Sequence, residues 1–167
     1  MSSIIFNKKN FIITVIMLAA VLTRLVPHLP NFTPITAIAL FGGLYISNRL
    51  LAYALPLFIM AVSDAFLGFY SITIFVYAAF MIVTLIGTKR KKPSILTIFL
   101  GSLSFFIVTN FGVWLTGSYG YTLSGLVNCY ILAIPFFGYS LISTLIFSVA
   151  IETLIYFYTL RTKNYLN

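Results

Sequence analysis

Long apolar runs separated by short polar breaks organise this chain. The first run covers 11–27 and follows Lys8 and Lys9. A shorter one, 34–47, opens on Pro34 and ends before Asn48 and Arg49. The next two, 50–69 and 72–88, meet at a turn around Gly68, and Lys89 to Lys92 with Pro93 close the second. The fifth run is 94–115. A stretch rich in Gly, Ser and Tyr follows over 116–128, and the last main helix is expected at 137–160, before Arg161 and Lys163. A hydrocarbon core about 30 Å thick takes about 20 helical residues, so most of these runs fit a crossing. The run 34–47 is too short for an upright one and must be extended, tilted or partly re-entrant. The stretch 116–136 reads equally as an outer loop or as a loop with a half-helix stopping at Pro135.

Composition makes the solvent explicit. Of 167 residues, 61% are hydrophobic and 7% charged. A soluble domain carries about a quarter charged residues, so this chain cannot wet a globular surface. Soluble enzymes, disordered tails and secreted disulfide scaffolds are excluded, and the lone Cys129 can form no internal bridge. The expected class is an all-α integral membrane protein, one transmembrane domain over 1–167. The first run also resembles a signal peptide. Pro27, Pro30 and Pro34 separate it from the small residues at Ala37 and Ala39, so a retained helix is expected.

Charge orients the bundle. Basic loops stay cytoplasmic. With six crossings and an inner N-terminus, Lys8, Lys9, Arg49, Lys89 to Lys92, Arg161 and Lys163 fall inside, and Arg24 alone falls near the outer side. Six transmembrane helices with both termini cytoplasmic, in the inner (cytoplasmic) membrane, is the expected topology. The net charge of +8 sits in short clusters that touch the lipid bilayer, so nucleic acid is not an expected partner.

Only two acids exist, Asp64 and Glu152, and both lie inside apolar runs. An ionisable group in lipid is costly and marks function by default. Threading six spans brings Arg24, His28, Asn31, Asp64, Asn110, Trp114, Tyr121 and Asn128 toward one outer depth, where they form a candidate ligand site. Arg24 would meet an anionic or carbonyl group, Asp64 would orient it, and Trp114 or a tyrosine would stack on it. Plainer readings stay open: Arg24 and Asp64 as a structural pair, His28 as a solvated loop residue, Trp114 and the tyrosines as an interfacial belt, Asn110 as a helix cap. Glu152 lies deeper, where pairing with Arg49, a protonated state and proton movement are all open. Ala39 with Gly43, and Ala61 with Ala65, have spacings that permit close helix contact.

No metal-ligand spacing, phosphate loop or nucleophile elbow occurs, so neither an enzyme nor a cofactor is expected. No repeat supports an inverted-repeat transporter. The block from Arg24 to Gly43, RLVPHLPNFTPITAIALFGG, resembles the signature of an uncharacterised bacterial membrane family with a transport role. Ser63 to Tyr70 (SDAFLGFY), Asn110 to Trp114 (NFGVW) and Ala133 to Phe137 (AIPFF) resemble its further blocks. That family in turn resembles the substrate-binding subunits of energy-coupling factor transporters. The resemblance implies six helices, cytoplasmic termini and a small-molecule substrate bound near the outer face. It also implies a transmembrane coupling subunit with ATPases as partner. The alternative is a non-transporting assembly factor or accessory subunit, and a membrane-embedded enzyme using His28 and Asp64 ranks below both.

Overall fold

The computed structural model describes residues 19–164, with side chains to residue 157. Lys8, Lys9 and the start of the first run lie outside the described residues, as do the side chains of Arg161 and Lys163. Six helical segments follow one another: α1 (19–25), α2 (Ile35–Tyr45), α3 (Arg49–Leu67), α4 (Thr73–Thr88), α5 (Ile95–Leu115) and α6 (Leu123–Asn164). No strand occurs among the described residues. Helices α3, α5 and Leu123–Phe157 of α6 are long and apolar enough to cross a membrane, whereas α2 and α4 are shorter apolar helices. The outer surface is apolar: Leu50 is 78% exposed, Phe66 75% and Ile95 79%. Lipid tolerates such a surface where water would not. The chain is a membrane protein.

Local chemistry sets the helix ends. Asn48 caps α3 by accepting the Leu51 N–H at 3.2 Å, and Ser94 caps α5 by accepting the Thr97 N–H at 3.2 Å. Arg49 donates to the Gly43 carbonyl at 3.4 Å, placing a cation at the C-terminal end of α2. Gly68 ends α3 at φ 95°, a backbone region few other residues adopt cheaply. Polar residues inside the apolar helices mostly bond their own backbone, as Thr84 does to the Phe80 carbonyl and Thr109 to that of Phe105.

Helix α2 is the hub. Its 11 residues rise about 16 Å, too little to cross alone. Ile35 through Gly43 are all buried, and α2 packs against α3, α4, α5 and α6. The connection 26–34 therefore carries the chain down to the start of a short central helix. Pro27, Pro30 and Pro34 keep it non-helical. It does not hang free: Ser143 of α6 donates to the Asn31 carbonyl at 3.3 Å, and the Phe32 and Phe147 rings meet edge-on at 6.3 Å. Irregular backbone survives at membrane depth only against protein or a cavity, and this segment has both. Asn31 adopts φ 60°, a conformation Asn tolerates better than most residues.

The other end of α2 is locked to α4. A Cβ on Gly43 would strike the Thr84 carbonyl oxygen and stand 2.9 Å from the Thr88 nitrogen. One on Gly87 would strike the Leu40 carbonyl oxygen and stand 3.2 Å from the Gly43 Cα. The two glycines let the backbones touch, as small residues do in membrane helix pairs. Gly43 thus does what its spacing from Ala39 allows, whereas Ala61 and Ala65 on α3 are exposed.

Helix α6 departs from the sequence reading. It starts at Leu123, not 137, and runs through Pro135 for 42 residues, about 63 Å. Pro135 offers no N–H to the carbonyl one turn earlier, but ending the helix there would leave several more backbone groups unpaired in an apolar setting, so the helix continues. The Thr122 hydroxyl accepts the Gly125 N–H at 3.0 Å at its start. The loop is therefore only 116–122, and Asn128 and Tyr130 belong to the helix.

Candidate functional site

Three helices meet at the end of the bundle where α3 stops and α4 begins. Asp64 lies one turn before the end of α3, with its side chain 6% exposed. Arg24, near the end of α1, places Nη2 2.8 Å from Asp64 Oδ1. Tyr77, one turn into α4, donates its hydroxyl to Asp64 Oδ2 at 2.9 Å. Both carboxylate oxygens are thus engaged. Arg24 Nη1 faces Met60 Sδ, one turn before Asp64 on α3. A thioether is a poor acceptor, so one face of the guanidinium holds a weak partner. The pair takes two charges out of water and needs these extra bonds to persist.

Arg24, Asp64 and Met60 line a cavity of about 360 Å³, within the range of small-molecule pockets, while Tyr77 supports Asp64 from outside the lining. His28, Asn31, Thr36, Tyr70 and Thr73 add polar groups to its rim and wall. Ile35, Val76, Phe80 and Phe105 supply apolar surface. His28 is exposed, and its Nδ1 lies 2.7 Å from the Val26 carbonyl oxygen. A carbonyl only accepts, so Nδ1 carries the proton and Nε2 is the nitrogen left to meet a ligand. A second cavity of about 310 Å³ adjoins the first and shares Asn31, Ile72, Val76 and Phe105. Its further lining includes Asn110, Tyr119, Cys129, Leu132 and Phe136.

Of the residues singled out in the sequence, Arg24, His28, Asn31 and Asp64 line the first cavity. Asn110 lines the second and bonds its own helix, Nδ2 to the Phe106 carbonyl at 2.8 Å. Trp114 and Tyr121 go elsewhere. Trp114 Nε1 donates to the Gly120 carbonyl at 3.0 Å and its ring meets Tyr121 edge-on at 6.2 Å, bracing the short α5–α6 turn. Asn128 is exposed on α6 and lines neither cavity. Of the eight residues expected to converge, four line the first cavity, Asn110 lines the second, Trp114 and Tyr121 brace the turn, and Asn128 joins none of these. The early start of α6 takes Asn128 out of the loop and onto the helix. Arg24–Asp64 is the one ion pair among the described residues, and Arg49 serves Gly43 rather than Glu152, which is exposed. Sequence reasoning missed Tyr77 and Met60. Tyr77 carried a signal, a phenol well inside an apolar run, but nothing along the chain shows which α4 face meets Asp64.

The chain matches the Family of unknown function (DUF6580) over residues 5–165. It belongs to that family. The match takes in both ends of the bundle, so the cavity lies wholly within the family's extent. No curated protein and no solved structure matches the chain. In this DUF6580 member, no three His, Cys, Asp or Glu side chains come together among the described residues. The cavity's polar groups are hydrogen-bond donors and acceptors around one compensated charge pair.

Proposed function

We propose that this protein is a membrane uptake component that binds a small micronutrient-like molecule in the cavity lined by Arg24 and Asp64. In this reading six helices cross the bacterial inner membrane, both termini are cytoplasmic, and the cavity opens toward the outer leaflet. The observation that carries it is a polar triad built from three helices and set against a cavity of about 360 Å³. Polar groups at such depth are expensive, and a cavity beside them gives them something to bind. The chain has no phosphate loop, so work against a gradient would come from a partner: a transmembrane coupling subunit with ATPases, as in energy-coupled importers. The protein acts as a binder and not as an enzyme.

Thermal unfolding of purified protein against a panel of vitamins and nucleobases tests the reading. A dose-dependent rise in Tm with one compound class supports it, and a flat response from well-folded protein removes it. One observation favours a second reading, a non-transporting assembly factor: Arg24 and Asp64 already neutralise one another across two helices. In that case the neutral double variant R24Q/D64N keeps full function in cells, whereas a binding site loses it.

A further inference from the structure

We infer that the ligand of this cavity is uncharged and presents an amide or lactam edge, a carbonyl acceptor beside an N–H donor. The inference rests on the proposed binding role and adds the chemistry of what is bound.

It starts from charge. Arg24 and Asp64 cancel at 2.8 Å, and no other acid or permanently charged base lines the cavity. A carboxylate ligand would compete with Asp64 for Arg24 and leave a second anion in a poorly solvated site. An ammonium ligand would do the same to Arg24. Either leaves one buried charge uncompensated, the costly outcome for such a pair. A neutral ligand leaves the pair whole.

The unfilled bonding capacity specifies the rest. Arg24 Nη1 is turned to Met60 Sδ, a weak acceptor that a carbonyl oxygen would readily replace. Asp64 lines the cavity and accepts from Arg24 and from Tyr77, yet each carboxylate oxygen keeps a lone pair. The same wall thus offers a donor in want of a strong acceptor, beside acceptors in want of a donor. An amide edge supplies both without net charge. Val76, Phe80 and Phe105 give apolar surface for the ring that bears it.

The test uses full-length protein in lipid nanodiscs and probes of one shape. Benzamide, benzoate and benzylamine share a ring and differ in charge. 2-Quinolone and 2-methoxyquinoline share a bicycle, and only the first has the lactam edge. Binding is read as the dose-dependent shift in Tm. Benzamide should bind about tenfold or more tighter than either charged partner, and 2-quinolone should exceed its methoxy analogue by a similar factor, as expected for one hydrogen bond to a charged group. Tyr77→Phe keeps the ion pair and the cavity lining, so the quinolone difference should persist. Asp64→Asn removes the compensating anion and, where it folds, should turn the preference toward benzoate. Benzoate or benzylamine binding wild type as tightly as benzamide overturns the inference while leaving the binding role intact. Equal binding of both quinolines overturns the amide edge alone. No shift with any probe overturns the inference and the binding role together.

Discussion

Helix α2 joins two regions built on opposite rules. At its lower end Gly43 and Gly87 bring two backbones together with no room for a side chain. At its upper end Ile35 and Thr36 border a cavity of about 360 Å³ walled by an ion pair. The seam gains from backbone contact, and the Thr84 hydroxyl beside it bonds its own helix. The cavity end gives up packing to keep charged groups hydrogen-bonded. A short helix fixed rigidly at one end can hold open space at the other. That contrast separates scaffold from site more sharply than any one residue does.

The largest expected effect breaks the scaffold side. Gly43→Leu forces a side chain into the Thr84 backbone, where helices cannot part without losing α2–α4 packing. We expect a loss of about 3 kcal/mol or more, seen as little folded protein by thermal unfolding in detergent. Gly42→Ala nearby is the control, since its Cβ would meet nothing closer than 3.5 Å. A tolerated Gly43→Leu would mean the seam is not close-packed.

Next comes the charge pair. Asp64→Ala or Arg24→Ala alone leaves an unpaired charge and should cost about 3 kcal/mol, the lower end for a buried pair because Arg24 keeps 18% exposure. R24Q/D64N should recover most of that stability yet not ligand binding. Recovery of both would move the pair to the scaffold side. Tyr77→Phe removes one donor to a carboxylate and should lower stability by about 1.5 kcal/mol in the same assay. The smallest effect belongs to the α5–α6 turn. Trp114→Phe loses the bond to Gly120 and should change stability by about 0.5 kcal/mol, with no change in binding to either cavity.

These predictions draw unequally on the sequence. The runs 50–69, 72–88 and 94–115 became Arg49–Leu67, Thr73–Thr88 and Ile95–Leu115 because Asn48, Gly68 and Ser94 end or cap helices by local chemistry. The shortness of the run after Pro34 was also visible, and α2 answers it by sitting inside the bundle. What failed to show was whatever depends on rotation between helices. Nothing along the chain tells that Tyr77 faces Asp64 or that Trp114 turns back to Gly120. Pro135 misled because proline rules learned in water overstate its power to stop a helix in an apolar medium. Arg24 and Asp64 were legible for the opposite reason: charges so rare in this chain have few partners to choose from.

The most direct test of the cavity is its accessibility. Thr33 lines it, and Thr33→Cys in a Cys129→Ser background offers a single thiol there. The account predicts labelling by a membrane-impermeant maleimide from outside the cell, slowed by any compound that raises the Tm of the purified protein. Labelling only from the cytoplasmic side, or labelling that no stabilising compound slows, would contradict it.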